Sequence, residues 1–534
     1  MIVGLGMAAA LALSGQDPKA TPVQPAAAEQ AQAAYIDIND VPPEIREPTE
    51  AEYAEIERLV VRAEGARDAE RFDEAIEAAT ALAELSAATF GPGHPITASC
   101  LNIIGQVKYD RGDLDGAEAI FREGLALRRA ALGETHPDVA ESLNNVAGVL
   151  SRRADYAEAL VFLEQAVEIW ERVGTFDRNL ADGLANLANQ YAYLGRYAEA
   201  EGPARRAVAV TEKVYDPNHR ETAGNLGVLG EILLALGQYD EAEQTLTEAD
   251  RVFTASGADH TLKAGLTLFR LGTLRKYQGR HGEAADLFRR STEVFAAAVG
   301  PDHPHTGAAL VETGQALHLE GLDGRAEPLL RRGLAVQERA QGADHPDTAT
   351  TRMILAQVLL SLGQVQQADV LARRGVADLQ ARLGPDAQAT ASARVIHASI
   401  LLAAALPEQA EAESRRALTA LESILSLDHP AVGDARSSLA EALIRQARWS
   451  EADPVVLDGV ARAEAAFGPA QDNVVRMRGQ MMRIRLGQDK ADAALILGRS
   501  ATAQLASAAP RRARELQRLR VRAAWVEAAE LARD

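Results

Sequence analysis

The chain has 534 residues, and its 76 acidic side chains outnumber 56 Lys and Arg, which gives a formal net charge of −20. This acidic balance argues against a general nucleic-acid binder, because neutralising phosphates requires a surplus of Lys and Arg. Aromatic residues make up only 4% of a chain that is 47% hydrophobic, so a core must consist mainly of Ala, Leu, Val and Ile. Cys100 is the only cysteine, which excludes an internal disulfide, a multi-cysteine zinc site and an iron–sulfur cluster. We therefore expect no cofactor.

The N-terminus begins with an uncharged, mostly apolar run from Met1 to Leu13 that is too short to cross a bilayer as a helix. Its apolar core and the small residues Ala12 and Ser14 are typical of a secretory signal, although a basic segment is missing. We interpret residues 1–15 as a signal peptide for export to the periplasm; the alternative is an Ala-rich tail on a cytoplasmic protein. Residues 16–50 are rich in Ala, Gln and Pro and are predicted to form a disordered linker.

The rest of the chain repeats with a period of about 42 residues. His-Pro dipeptides recur at 94–95, 136–137, 303–304, 345–346 and 429–430, with spacings near one, four, one and two periods. A turn position follows in the same phase, and most of its copies are Gly: 70, 112, 154, 195, 237, 279, 321, 363, 405, 447 and 487.

Small residues accompany these turns at fixed offsets. Ala or Gly lies seven residues before every turn except the last, where Gln480 breaks the rule, and Ala lies five residues after every turn except the last, where Asp492 stands. Two helices joined at a Gly turn can pack closely only where the contacting side chains are small. The pattern therefore predicts about eleven helix-turn-helix hairpins.

The segments 136–167 and 180–210 carry this pattern most completely, and they resemble tetratricopeptide repeats of the 42-residue kinesin-light-chain type, also common in bacterial arrays. The resemblance covers roughly residues 51–495. We expect an all-α fold, a right-handed α-solenoid of stacked hairpins over residues 51–498. The Arg-rich segment 499–534 is predicted to be a helix that caps the last hairpin, and the alternative is a docking site for an acidic partner.

The histidines of the His-Pro dipeptides are predicted to be helix N-caps, each followed by Pro at the first helical position, rather than metal ligands. Cys100 is predicted to be a small core residue. Arg pairs follow several turns, and acids precede Arg205, Arg331, Arg373 and Arg415 by four residues, which predicts an exposed, self-paired face. The chain has no P-loop, no His-Glu-x-x-His and no Gly-x-Ser-x-Gly motif.

The resemblance implies that the first helices of the hairpins line a concave groove for partner peptides. Asparagine suits this role because its amide can bond both the N–H and the C=O of an extended backbone. The alternative is that these side chains bond neighbouring helices. The positions predicted to line the groove are Asn102, Asn144, Asn145, Asn186, Asn189, Glu231, Arg270, Lys276 and Glu312.

The sequence thus favours a non-catalytic scaffold that binds a protein or peptide in this groove. The alternative is a regulatory or sensory adaptor whose superhelix changes shape when a ligand binds. An enzyme is disfavoured, since the repeats show no cluster of acid, base and nucleophile. No nucleic acid or small-molecule substrate is expected as a partner, and self-association is left open.

Overall fold

The computed structural model describes residues 49–69, 71–174, 178–468 and 472–508, and within these ranges the chain is built of helices without strands. None of the described helices is long and apolar enough to cross a membrane. The helices are α1 Glu50–Asp68, α2 Phe72–Phe90, α3 Pro95–Arg111, α4 Leu114–Leu132, α5 Pro137–Arg152, α6 Tyr156–Val173, α7 Arg178–Tyr193, α8 Tyr197–Val214, α9 Arg220–Ala235, α10 Tyr239–Ala255, α11 Leu262–Tyr277, α12 His281–Ala298, α13 Pro304–Leu319, α14 Asp323–Ala340, α15 Pro346–Ser361, α16 Val365–Leu383, α17 Gln388–Ala403, α18 Pro407–Ile424, α19 Pro430–Arg445, α20 Trp449–Phe467, α21 Asp472–Gly487 and α22 Ala491–Ala508.

The described chain divides into two compact units, residues 49–274 and residues 275–508. The first unit contains the hairpins α1–α2, α3–α4, α5–α6, α7–α8 and α9–α10. The second contains α13–α14, α15–α16, α17–α18, α19–α20 and α21–α22. Within each unit the second helix of a hairpin also packs against the first helix of the next, so the core extends from repeat to repeat. The predicted all-α solenoid is confirmed.

Small residues hold the two helices of each hairpin together, as the sequence predicted. A Cβ added to Gly105 would lie 2.5 Å from the Phe121 ring, and one added to Gly314 would lie 2.6 Å from Leu330. The alanines five residues after the turns are completely buried: Ala75, Ala117, Ala159, Ala200, Ala242, Ala284, Ala326, Ala368, Ala410 and Ala452. A larger side chain at these positions would force the paired helices apart.

The turns within the hairpins take the left-handed backbone conformation. Gly112, Gly195 and Gly363 have φ angles of 88°, 71° and 75°, and the alanines at equivalent positions are held there too, with φ of 65° at Ala154, 57° at Ala405 and 55° at Ala447. This conformation costs an L-residue about 1–2 kcal/mol but costs Gly almost nothing. The described turns with Ala at this position therefore carry backbone strain. The turn expected at residue 70 lies outside the described residues.

The last predicted turn is wrong by two residues. The left-handed residue is Asp489, with φ of 59°, while Gly487 is the final residue of α21. Gly487 is small for another reason, because a Cβ there would collide with the Trp449 indole. With the turn at Asp489 the alanine rule holds, since Ala494 lies five residues later and is 1% exposed. Asp tolerates the left-handed region because its short polar side chain can bond locally.

Histidine N-caps begin six of the described first helices, and the five that belong to His-Pro dipeptides were predicted. The Nδ1 atoms of His94, His136, His219, His303, His345 and His429 each accept a hydrogen bond from the backbone N–H two residues later, at 3.1–3.2 Å. Except at His219, which Arg follows, Pro occupies the first helical position, where no donor is needed. Cys100 is buried in the core of the first hairpins, with its Sγ 3.0 Å from Ser86 Oγ.

The terminal predictions fall partly outside the described residues. The expected signal peptide (1–15) and nearly all of the expected linker (16–50) precede the described range. Both, and the export that the signal peptide implies, stay predictions. Helix α22 continues to Ala508, past the expected end of the stack at 498, so residues 499–508 belong to the last hairpin. Most of the Arg-rich segment expected to form a cap, from residue 509, also lies outside the described residues.

We predict that Ala405→Gly stabilises the protein, because Gly removes the strain of the left-handed backbone at little cost in this turn. The free energy of unfolding, measured by urea denaturation, should rise by about 0.5–1 kcal/mol. The matched control is Ala404→Gly, at the adjacent residue with φ of −80°. That change should lower the same free energy by roughly 0.5 kcal/mol. Equal effects of the two substitutions would contradict the assigned turn.

Candidate functional site

A row of asparagines lies on the first helices of the first unit. Asn144 on α5 and Asn186 on α7 stand 42 residues apart, and Asn186 Nδ2 donates a hydrogen bond of 3.0 Å to Asn144 Oδ1. An amide has one acceptor oxygen and two N–H donors, so Asn144 keeps its NH₂ group and Asn186 its oxygen for other bonds. The pair therefore links two consecutive repeats and still offers a donor and an acceptor.

Two further asparagines flank this pair. Asn145 on α5 and Asn189 on α7 are partly exposed, and their side chains make no hydrogen bond to any described residue. Asn102 on α3 differs, because its Oδ1 and Nδ2 atoms are both buried without a hydrogen-bond partner. A Cβ added to Gly124 on α4 would lie 3.3 Å from Asn102 Oδ1. Asn102 thus packs towards the second helix of its own hairpin.

The charged residues predicted for the groove form ion pairs with one another. Arg270 on α11 bonds Glu231 on α9, with the two side chains 18% and 33% exposed. Lys276 is paired with Glu312 on α13, and this pair is deeply buried, at 7% and 3% exposure. Lys276 Nζ also donates to Gln315 Oε1 at 3.1 Å and lies 5.9 Å from the centre of the Phe288 ring. Lys276 and Glu312 are therefore core residues that present little surface to a partner.

The predicted self-paired face is confirmed on the second helices. Arg205 lies 2.8 Å from Glu201, Arg331 lies 2.9 Å from Glu327 and Arg415 lies 2.8 Å from Glu411, while Arg373 is paired with Asp369. Arg205 also reaches Glu241 on the next second helix at 2.7 Å. Such exposed pairs contribute little to stability, about 0.3–0.5 kcal/mol each.

A ladder of buried arginines was missed by the sequence interpretation. Arg352, Arg394, Arg436 and Arg478 recur every 42 residues on α15, α17, α19 and α21, and the side chains of the first three are 7% exposed or less. Leu occupies the same place relative to the turn in earlier hairpins, as at Leu143. The spacing is visible in the sequence, but Arg is normally exposed, so the residue type gives no sign that these positions are buried.

Each ladder arginine donates to the residue 14 positions earlier, at the end of the preceding helix. The acceptors are Glu338 at 2.8 Å, Gln380 at 2.6 Å, Glu422 at 2.7 Å and Glu464 at 2.8 Å. Three of these arginines also donate to the backbone carbonyl nine residues earlier, in the turn between hairpins: Ala343, Pro385 and Leu427. The ladder therefore anchors each hairpin to the one before it.

Several ionisable groups have pKa values shifted by burial. Burial raises the pKa of the Cys100 thiol and lowers that of the His281 imidazole. Burial together with the carboxylate of Glu164, which accepts the phenol's hydrogen bond at 2.6 Å, raises the pKa of Tyr191 to about 12. Among the described residues, no three or more His, Cys, Asp or Glu side chains are grouped so that they could hold a metal ion.

A family model described as the tetratricopeptide repeat matches residues 59–130, 101–172, 179–255 and 263–339, about half of the chain. The chain belongs to the tetratricopeptide repeat family. The matches end at residue 339, whereas the structure continues the same hairpins to Ala508. Tetratricopeptide repeats typically form protein-interaction or regulatory scaffolds without catalytic activity. No curated protein matches the chain.

The chain is similar to several solved structures, and one of them, RapI, has a TM-score above 0.5. The apo form of RapI is 12% identical, with a TM-score of 0.51, over 70% of this chain and 98% of that one. The TPR-like repeats of a putative kinesin light chain from Podosopora anserina are 22% identical, with a TM-score of 0.33, over 37% of this chain and 94% of that one. BtubC from P. vanneervenii is 21% identical, with a TM-score of 0.35, over 47% of this chain and 92% of that one.

We predict that Lys276→Met destabilises the protein by about 3 kcal/mol, because it leaves the buried carboxylate of Glu312 without its cation. The double variant Lys276→Met/Glu312→Leu should recover most of that loss, since neither charge is then buried. Urea unfolding of the two variants and the wild type provides the comparison, with Lys263→Met as control for an exposed lysine. A single variant as stable as the wild type would show that the pair is solvated.

Proposed function

We propose that this chain is a non-catalytic scaffold that binds an extended segment of a protein partner along the asparagine row of its first unit. The observation that carries the proposal is the set of amides on α5 and α7. Asn145 and Asn189 have no bonded partner among the described residues, and they stand beside the bonded pair Asn144–Asn186. Together these side chains offer both donors and acceptors on consecutive first helices.

An extended peptide presents its N–H and C=O groups alternately along its length, so a surface that offers both kinds of partner suits its backbone. Because amides carry no charge, they neither attract nor repel charged side chains of the peptide. They can therefore bond the backbone of peptides that differ in sequence. The Asn144–Asn186 bond supports this role, because it holds two of the amides in a fixed orientation before a ligand arrives. Glu231 and Arg270, paired with each other at part-exposed positions, are proposed to border this surface.

We expect Asn145→Ala/Asn189→Ala to weaken peptide binding about tenfold or more, because two hydrogen bonds of about 1 kcal/mol each are lost. Linear peptides enriched from a phage-displayed random library on the wild-type protein serve as ligands, and affinities are measured by fluorescence anisotropy. The matched control is Asn179→Ala, an exposed asparagine in the first turn of α7.

Two results would contradict this proposal. One is a set of enriched peptides that bind the double variant as tightly as the wild type. The other is full binding by the same peptides after N-methylation of alternate backbone amides, because recognition of the main chain requires those N–H donors. Thermal unfolding of each variant is measured alongside, and an unchanged midpoint shows that lost affinity does not reflect lost folding.

A further inference from the structure

One step of the arginine ladder differs from the others in charge. Glu338 faces Arg352, Glu422 faces Arg436 and Glu464 faces Arg478, but the corresponding acceptor of Arg394 is the neutral amide of Gln380. Arg352 has Asp378 as a second anion at 2.5 Å. For Arg394 the nearest carboxylate is Glu413, 3.4 Å from Nε, and Glu413 is shared with Arg416 at 3.1 Å. Arg394 is thus the buried arginine of the ladder with the weakest neutralisation.

The guanidinium of Arg394 has unused donors. Its side chain is only 7% exposed, Nη2 donates to Gln380 and Nη1 donates to the Pro385 carbonyl at 3.3 Å. The Nε atom is buried and lies 3.4 Å from Glu413 Oε2, its ion-pair partner. A guanidinium has five N–H groups, so one N–H on each terminal nitrogen remains for a ligand. Two unused donors on one buried guanidinium suit a ligand that accepts a pair of hydrogen bonds.

This arginine lines an open cleft of about 580 Å³ within the second unit, which we name the Arg394 cleft; its other lining residues are Gln380, Pro385, Asp386, Arg415, Arg416 and Thr419. The cleft lies among the end of α16, the turn that follows it, α17 and α18. Its lining side chains include three cations and one anion. Arg415 and Arg416 are paired with Glu411 at 2.8 Å and with Glu413 at 3.1 Å. Their side chains are 50% and 63% exposed, so they can turn from these acids towards a ligand in the cleft.

We propose that the Arg394 cleft is a binding site for a small oxyanion, a phosphate or carboxylate group held by the guanidinium of Arg394. Guanidinium forms paired, parallel hydrogen bonds to both kinds of group, which fixes the ligand's orientation as well as its charge. Arg415 and Arg416 supply further positive charge at the mouth when they turn from Glu411 and Glu413 to the ligand, and Thr419 adds a hydroxyl. The site is independent of the asparagine row and requires no peptide partner.

The decisive variant is Gln380→Glu, which gives this step of the ladder the acid that the other three steps already have. It neutralises Arg394 from within the protein, so a bound anion becomes redundant. The substitution should preserve the fold, because Glu occupies the equivalent position beside Arg352 and Arg436. The matched control is Glu422→Gln, which makes the converse exchange at the Arg436 step and leaves the cleft intact.

Isothermal titration calorimetry of the full chain at constant ionic strength, with inorganic phosphate in one arm and succinate in the other, tests the proposal. We expect saturable one-site binding to the wild type and to Glu422→Gln, and a loss of about tenfold or more in Gln380→Glu. Binding of phosphate alone would identify a phosphorylated ligand, and binding of succinate alone a carboxylate. No saturable binding in either arm, or equal affinity of the wild type and Gln380→Glu, would overturn it.

Discussion

The close approach of two helices beside each turn is the contact on which the rest of the array depends. Gly105, Gly230 and Gly314 lie so near a side chain of the opposing helix that a single added carbon would collide with it. This closeness buries the alanines on the second helices completely and sets how the two helices of a hairpin pack against each other. A chain with few aromatic residues can then build a core, because small, tightly interlocked side chains replace large ones.

Each first helix packs one face against its paired second helix, and this leaves a different face for other contacts. The face that carries Gly105 and its equivalents packs against the paired helix. A histidine cap fixes where six of the first helices begin: α3, α5, α9, α13, α15 and α19. Residues at a given offset from the turn therefore occupy equivalent positions in successive repeats. Asn144 of one repeat consequently meets Asn186 of the next across 42 residues of sequence. The sequence repeat therefore places similar side chains at regular intervals along one side of the stack.

The sequence predicted the repeats well because helix pairing leaves a strong local mark: a small residue, a turn and an alanine at fixed offsets. It failed at the last turn because Gly487 is small for packing against Trp449, and the residue that adopts the left-handed conformation is Asp489. It also treated Lys276 and Glu312 as surface residues, although they neutralise each other inside the core. Composition gives each residue's usual environment, whereas the partner that permits burial comes from a distant part of the chain.

Composition also gives no sign that the ladder arginines are buried, because Arg is usually exposed. The bonds that these arginines make show what they contribute. A buried ion pair adds little net stability, because the cost of removing two charges from water offsets their attraction. Leu143 fills the equivalent place in the first unit and is buried without that cost. The arginine instead contributes directional hydrogen bonds, one to the end of the preceding helix and one to a carbonyl of the intervening turn. Arg436 makes these bonds with Glu422 and Leu427. Such bonds specify one register between hairpins, and an anchor of this kind stays in place when one acid is exchanged for Gln380. The exchange leaves the hydrogen bond and removes the charge, so the ladder supplies a rigid, incompletely neutralised cation at a single defined position.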